Sequence, residues 1–351
     1  MYQPFEIVPE ATASFKDKVV IFADETPKSI PVTVHAHKDN VSGTITLQHG
    51  TGWKVDKVVQ PFSIAKKGDA QVVYFEVRPP DSENEAYLSP RVNVDGTEIS
   101  KELVTIAYDH IPTQTVLLPS EAKVVRLNID KVGEQIGYVM GAGDEVPTSL
   151  KQIGYRVQII DPETITAESL AKFDALVMGI RAYNVVDELQ FKQRFIMEYA
   201  KNGGTVIVQY NTASRWGEQF ENIAPYDLEI SRDRVTDENS EVQIIAPDHA
   251  LVNFPNKING EDFKGWVQER GLYFPDTWAD EFTPILEMKD SGEQPTKGSL
   301  LIAKYGKGNY IYTGLSFFRE LPAGVPGAYK LFSNMLSVGK DKIETKAQIK
   351  G

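Results

Sequence analysis

One stretch near the middle of the chain, residues 135–161 (QIGYVMGAGDEVPTSLKQIGYRVQIID), limits most strongly which folds the sequence can adopt. It reads as a strand, a glycine-containing turn, a helix and a second strand, which is the opening unit of a parallel α/β sheet. The turn, Gly141-Ala142-Gly143-Asp144, follows the first strand, at the edge where such sheets bind ligands. The stretch therefore predicts an α/β domain with a ligand-binding edge.

The sequence pattern changes near residue 130. Residues 1–130 contain short segments of alternating apolar and polar residues, separated by Pro, Gly, Asn and Asp and without a convincing helix. Such spacing predicts an all-β, immunoglobulin-like sandwich. Residues 131–351 alternate strand-like and helix-like segments, which predicts crossover units and a parallel sheet. The expected architecture is a sandwich domain followed by an α/β domain.

Composition argues against several classes of partner and chemistry. The formal net charge is −12 at pH 7 and there is no basic run, so nucleic acid and anionic membrane surfaces are poor partners. No apolar run approaches the ~18 residues that a membrane-spanning helix requires. The chain contains no cysteine, which removes disulfides and thiolate nucleophiles from consideration.

The glycine turn also invites comparison with a dinucleotide-binding loop, in which a later acid, here Asp161, would bind the ribose. Val146 stands where the third glycine of that loop is needed, and Asp144 would place a carboxylate beside the phosphates. A tight turn that caps a helix explains these residues better. We therefore expect no bound cofactor.

His35 and His37 are separated by one residue, as are some pairs of metal ligands. On a strand they share one face with Thr33, while Val34 and Ala36 point to the other face. This alternation is typical of a half-exposed sandwich strand, and no further His or Cys lies close in sequence to complete a zinc site. We therefore expect no metal site.

His249, which follows Asp248, is the candidate general base, because histidine most often has this role. A hydrolase acting on a sugar derivative would use His249 as its base, with Asp248 or Glu269 as the partner. A nucleophile is missing: Tyr210 and Asn211 occupy the elbow position after a core strand, without a Gly-x-Ser-x-Gly context. A structural or ligand-contacting role for His249 is therefore favoured.

Several side chains suited to ligand binding follow predicted strand ends or lie in the aromatic run 265–274 (GWVQERGLYF). We expect them to line one crevice, because the carboxyl ends of parallel strands meet at one edge. Aromatic faces beside Glu, Arg and Gln suit carbohydrate, although core packing explains the run 265–274 equally well. The predicted ligand-binding residues are Gly141, Gly143, Asp144, Arg181, Asn184, Tyr210, Asn211, Arg215 and Arg270.

Several segments resemble a known family: IGYVMGAGDEVPTSLKQIGY, GIRAYN, VQYNT, VQERGLYFP and YTGLSFFRELPAGVPGAYKLF. They are similar to the C-terminal region of large LmbE-like (PIG-L family) N-acetylglucosaminyl deacetylase-type proteins of Bacteroidetes-like bacteria. KDNVSGTITL and GWKV extend the resemblance into the sandwich. It implies a sandwich domain at 1–130 and, at 131–351, a flavodoxin-like, glutamine amidotransferase-like three-layer parallel sheet domain, close to the trehalose-utilisation type.

The resemblance implies a function through the deacetylase domain that accompanies this region in the family. The family's zinc deacetylase domain carries a His-Pro-Asp-Asp-Glu-type motif that this sequence lacks, and the amidotransferase nucleophile is also unmatched. The implied role is a non-catalytic accessory region of a periplasmic or extracellular protein. Such a region binds a carbohydrate or amino sugar, or positions the deacetylase domain. A hydrolase that uses His249 and a purely structural spacer are the alternatives.

Overall fold

The structure, a computed structural model, describes residues 7–213 and 223–340. The chain divides into two compact units, Met1–Asn128 and Ile129–Gly351. Strand is the dominant secondary structure, with 23 strands and six α-helices among the described residues. No helix in these ranges is long and apolar enough to cross a membrane.

The first unit contains strands and no helix within its described residues. These strands are β1 (Ala11–Phe15), β2 (Val19–Phe22), β3 (Lys28–Ala36), β4 (Val41–Gln48), β5 (Lys54–Asp56), β6 (Val59–Ile64), β7 (Ala70–Arg78), β8 (Asn84–Val94), β9 (Thr97–Ile99), β10 (Lys101–Ile106), β11 (Gln114–Pro119) and β12 (Ala122–Arg126). β10 and β11 pair with each other as a separate antiparallel ribbon.

The other strands of the first unit form two sheets around one apolar core. One sheet has the order β1-β3-β7-β5, and the other has the order β2-β12-β8-β4-β6 with β9 paired to β8. The alternation along β3 explains the packing, because Ile30, Val32, Val34 and Ala36 are buried in the shared core while the residues between them are half-buried. The predicted β-sandwich is confirmed.

The second unit combines strands with short helices. Its elements are β13 (Gln135–Val139), α1 (Val146–Gln152), β14 (Arg156–Ile159), α2 (Ala167–Leu170), β15 (Ala175–Met178), α3 (Ala182–Val185), α4 (Leu189–Lys201), β16 (Thr205–Gln209), β17 (Leu228–Val235), β18 (Val242–Ile244), β19 (Gly271–Trp278), β20 (Phe282–Pro284), β21 (Leu286–Met288), β22 (Leu300–Tyr305), β23 (Gly308–Thr313), α5 (Phe317–Glu320) and α6 (Pro326–Ser337).

The largest sheet of the second unit is mixed. Its order is β14-β13-β15-β16-β23-β22-β20; β14 to β23 run parallel along this order, whereas β22 and β20 are antiparallel to their neighbours. Between β16 and β23 the chain forms the separate pairs β17–β19 and β18–β21. The residues that follow β13, β15, β16 and β23 lie at one edge of the sheet, which we call the carboxyl edge.

The predicted fold class, in which a flavodoxin-like, glutamine amidotransferase-like three-layer parallel sheet domain follows the sandwich, is wrong. The chain is mostly strand, divided among many small sheets, and its largest sheet joins parallel and antiparallel pairing. Only α4 and α6 among the described helices are longer than two turns. Local periodicity identifies a strand but not its partner, and for this reason the separate pairs β17–β19 and β18–β21 were not predicted.

Trp53 tests the packing of the sandwich. Its side chain is 2% exposed, its indole N–H donates to Asn84 Oδ1 at 2.8 Å, and its ring meets Phe22 edge-on at 5.0 Å. We expect Trp53→Ala to destabilise the first unit by about 3–5 kcal/mol, because a large cavity and a lost hydrogen bond act together. Hydrogen exchange, measured by mass spectrometry on peptides from each unit, shows whether protection is lost in the first unit and kept in the second.

The matched control is Val59→Ala, since Val59 is 59% exposed on an outer strand. This control should change the free energy of unfolding by about 0.5 kcal/mol or less. Equal exchange protection in the Trp53→Ala and Val59→Ala variants would contradict the proposed packing of the core.

Candidate functional site

Asp144, at the carboxyl edge, is occupied by structural hydrogen bonds. Its carboxylate accepts the Tyr138 hydroxyl at 2.8 and 2.9 Å and the backbone amides of Val146 at 3.0 Å and Ile180 at 3.3 Å. Burial raises the pKa of Asp144, while these hydrogen bonds to the ionised form act in the opposite direction. Gln209 on β16 joins the network by donating to the Tyr138 hydroxyl at 2.8 Å. The described contacts of Asp144 therefore fix the loops at this edge.

The two turn glycines have backbone roles. A Cβ on Gly141 would lie 2.1 Å from the carbonyl oxygen of Ile180, so only glycine allows the loops after β13 and β15 to approach this closely. Gly143 adopts a φ of +98°, a conformation that side chains rarely adopt. The turn that the sequence singled out thus shapes the edge without presenting a side chain.

Asn184 and Asn211 also hold loops in place. Asn211 is 2% exposed; its side-chain amide donates to the Gln209 carbonyl at 3.0 Å and accepts the Tyr183 backbone amide at 3.0 Å. The Asn184 side chain accepts the Thr212 amide at 2.8 Å and donates to the Thr212 carbonyl at 3.2 Å. These two residues join the loop after β15 to the loop after β16.

A group of aromatic and charged side chains meets beside these loops. The ring of Tyr210 stacks on Tyr273, with centroids 5.9 Å apart and planes 10° apart, and lies 5.3 Å from the ring of Phe318. Arg319 Nε donates to Glu269 Oε1 at 2.9 Å. We call this group the edge cluster; its members are Arg181, Tyr210, Gln268, Glu269, Tyr273, Phe318 and Arg319.

Hydrogen bonds from other elements bring the run 265–274 to this edge. Ser316, which follows β23, donates its hydroxyl to the Glu269 carbonyl at 2.7 Å. Tyr312 on β23 accepts the Asn211 amide at 3.2 Å and donates to the Tyr273 carbonyl at 3.1 Å. Sequence analysis placed candidate ligand-binding side chains after strand ends and in the aromatic run 265–274. In the structure these two sets of residues lie at the same edge of the sheet.

Three members of the edge cluster have left-handed backbone conformations without being glycine. Arg181, Gln268 and Tyr273 have φ angles of 56°, 69° and 55°. Each such residue costs about 1–3 kcal/mol, and such strain is concentrated at functional sites. The Arg181 amide donates to the Tyr210 carbonyl at 2.8 Å, which joins the loop after β15 to the loop after β16.

The charges around Tyr210 act directly on its hydroxyl. Burial raises the pKa of Tyr210, Arg181 and Arg319 lower it, and Glu269 raises it further. The Nε atom of Arg181 is buried and has no hydrogen-bond partner among the described residues. The edge cluster thus combines aromatic surface with a donor that the described part of the chain leaves unsatisfied.

Arg270, although next in sequence to Glu269, is not part of this surface. It is 4% exposed, and its guanidinium donates to the Ser240 carbonyl at 2.7 and 3.0 Å and to the Phe263 carbonyl. Its side chain is directed into the protein, where it holds two loops. Arg215 lies outside the described residues.

His249 and Asp248 lie away from the carboxyl edge. Nδ1 of His249 accepts the Leu251 amide at 3.1 Å and caps a short turn, and burial lowers the pKa of the imidazole. The Leu251 carbonyl accepts from Asn334, near the end of α6, and Asn334 also bonds Asn256, which is paired with the segment before β13. His249 therefore belongs to the amino ends of the parallel strands, and Glu269 to the other edge.

His35 and His37 in the first unit contact hydroxyl groups. Their Nε2 atoms lie 3.1 Å from Ser14 Oγ and 2.9 Å from Thr12 Oγ1. Burial lowers the pKa of both histidines. The described ranges contain no group of three or more His, Cys, Asp or Glu side chains arranged to hold a metal ion.

Sequence reasoning selected four members of the edge cluster neither as ligand-binding nor as catalytic candidates: Gln268, Tyr273, Phe318 and Arg319. The first two lie in the aromatic run, and the polar density of that run was their signal. Phe318 and Arg319 lie in α5, which follows β23. Only the parallel pairing of β23 with β16 brings them to the carboxyl edge.

Comparisons with known proteins assign no family. No protein-family model and no curated protein matches the chain. The Caenorhabditis elegans MSP family member WR4 aligns at 8% identity with a TM-score of 0.20, over 33% of this chain and 97% of WR4. The exo-β-1,4-mannosidase Op5Man5 from Opitutaceae bacterium strain TAV5 aligns at 7% identity with a TM-score of 0.33, over 58% of this chain and 35% of the mannosidase chain. A family 123 glycoside hydrolase from Clostridium perfringens aligns at 11% identity with a TM-score of 0.23, over 57% of this chain and 38% of the hydrolase chain.

Glu320, beneath the edge cluster, makes the stability of the second unit depend on pH. It is 0% exposed, and its carboxyl group accepts the Val267 amide at 2.9 Å and the Ser316 hydroxyl at 3.2 Å. Burial raises the pKa of Glu320 to about 7, against 4.5 for the free group. Between these values the folded state keeps a proton that the unfolded state releases, so this contribution to stability falls as pH rises.

We therefore expect the stability of the native chain, relative to the Glu320→Gln variant, to decline as pH rises from about 4.5 to about 7 and to level off above it. Calorimetry of both proteins at each pH measures this difference, in which contributions from other titrating groups cancel. A difference in melting temperature that stays constant over this pH range would show that Glu320 does not hold a raised pKa.

Proposed function

We propose that this chain is a non-catalytic accessory region that binds carbohydrate at the edge cluster. In this proposal it accompanies a sugar N-deacetylase of the LmbE-like (PIG-L) family in an exported protein, which is what the sequence resemblance implies. Positioning the deacetylase domain is the second part of that role. The observation that supports binding is the stacking of Tyr210 on Tyr273 within a cluster in which three residues that are not glycine have left-handed backbones.

The chemistry of the edge cluster matches a sugar better than a fully charged or fully apolar ligand. Tyr273 and Phe318, which are half-buried, offer rings against which the C–H face of a pyranose can pack. The Tyr210 ring is 8% exposed and packs against both of them. The Glu269–Arg319 ion pair and the Arg181 guanidinium supply acceptors and donors for hydroxyl groups.

Strain supports a binding role over a purely structural one. A residue that only stabilised the loop after β15 would be glycine at position 181, because glycine adopts a positive φ at little cost. Arginine at this position costs stability and places a guanidinium beside Tyr210. The cost is explained if the side chain contacts a ligand.

The test is Arg181→Gly, which removes the side chain and relieves the backbone at once. We expect the melting temperature to stay equal or rise, and the affinity for carbohydrate to fall at least about tenfold, a loss of ~1.4 kcal/mol. Binding is measured by screening neutral and N-acetylated oligosaccharides on an array and then titrating those that bind by calorimetry.

Lys57→Gly is the matched control, because Lys57 also has a positive φ, 53°, but lies in the first unit. It should show the same relief of strain and an unchanged affinity. If Arg181→Gly binds every oligosaccharide as tightly as the native chain, the edge cluster is not the carbohydrate site.

A further inference from the structure

A concave site lies beside the β17–β19 pair. It is a pocket of about 430 Å³, within the size range of small-molecule sites. We call it the Trp278 pocket; its lining includes Asp233, Arg234, Asp276, Trp278, Gln294 and Lys297. None of the sequence patterns considered above pointed to it.

An irregular strand pairing shapes one wall. Ile230 pairs with Pro275 and Asp233 pairs with Phe274, so β17 carries extra residues against β19, and the register shifts again before Arg234. On a regular strand Asp233 and Arg234 would point to opposite faces, yet both line the pocket. Bulges redirect side chains in this way and are common beside functional sites.

Side-chain and backbone bonds hold the wall and the opposite rim. Ser231 donates its hydroxyl to the Phe274 carbonyl at 2.7 Å and accepts the Asp233 amide at 2.9 Å. Across the pocket, Met288 and Thr296 exchange backbone hydrogen bonds of 3.1 and 2.9 Å. Gly298 packs so tightly on β19 that an added Cβ would lie 1.9 Å from the Pro275 carbonyl oxygen. The pocket is therefore pre-formed.

The lining selects a neutral polar ligand. Three acids and three bases line the pocket, so neither a phosphate nor a simple cation is favoured by net charge: Asp233, Asp276 and Glu293, with Arg234, Lys289 and Lys297. The half-buried indole of Trp278 adds an aromatic surface that also packs against the core of the second unit. The amide of Gln294 adds both a donor and an acceptor.

We propose that the Trp278 pocket is a second carbohydrate subsite, in which a sugar ring packs on Trp278 and its hydroxyl groups bond Asp276 and Gln294. The class of ligand rests on the proposed function. Strand β19 carries both Tyr273 of the edge cluster and Trp278, about 16 Å apart along an extended strand. A long oligosaccharide can therefore engage both sites, and its affinity then exceeds that of a disaccharide through effective concentration.

The experiment measures the binding of disaccharides and hexasaccharides of the chito-, cello- and manno- series to the full chain by calorimetry. The variants are Trp278→Ala, the exposed pair Asp276→Ala with Gln294→Ala, and Tyr210→Ala in the edge cluster. The pair guards against a folding defect, because Trp278 also packs on the core. Asp280→Ala is the matched control, an exposed acid near the end of β19 that does not line the pocket.

We expect Trp278→Ala and the Asp276/Gln294 double variant to weaken hexasaccharide binding at least about tenfold, while Asp280→Ala has no effect. Retention of native affinity by both pocket variants overturns the second subsite, even if Tyr210→Ala abolishes binding and supports the edge cluster. Loss of binding in the pocket variants alone, with Tyr210→Ala unaffected, supports the pocket and overturns the edge cluster. Failure of the native chain to bind any of these oligosaccharides overturns both.

Discussion

A half-buried carboxylate, that of Asp144, organises the carboxyl edge of the second unit. It accepts hydrogen bonds from the Tyr138 hydroxyl and from the amides of Val146 and Ile180, so it joins the ends of β13 and β15. Gln209 extends the network to β16 through the same hydroxyl. A buried acid without such partners would cost several kcal/mol, so these bonds allow the turn to close. The close approach at Gly141 and the left-handed conformation of the residues after β15 both depend on that closure.

The residues at the carboxyl edge fall into two groups. Some stabilise its loops through hydrogen bonds within the protein, and others form the edge cluster. Asp144, Asn211 and Arg270 are committed to bonds within the protein. The aromatic rings and the Glu269–Arg319 pair stand where those bonds place them, next to an Arg181 side chain with an unsatisfied Nε among the described residues. The proposed carbohydrate site is therefore a rigid surface on loops fixed from below, the arrangement that keeps the entropic cost of binding low.

The sequence predicted local structure better than assembly. The strand, glycine turn, helix and strand of 135–161 are present because their signals, glycine positions and apolar periodicity, are local. The mixed sheet was not predicted, since the parallel pairing of β23 with β16 joins residues that are far apart in the chain. The surroundings of site residues depend on the fold in the same way. Asp144 and Arg270 have the right chemistry for a ligand, and the hydrogen bonds that they make within the protein are set by the fold and not by their neighbours in sequence. Their role in ligand binding stays a prediction.

A crystal structure of the chain soaked with glucosamine and N-acetylglucosamine tests the central claim most directly. The account predicts a sugar ring packed on the aromatic rings of the edge cluster, with a hydroxyl group about 3 Å from the guanidinium of Arg181. Crystals that hold the sugar only elsewhere on the chain, or hold none at saturating concentration, would contradict the claim.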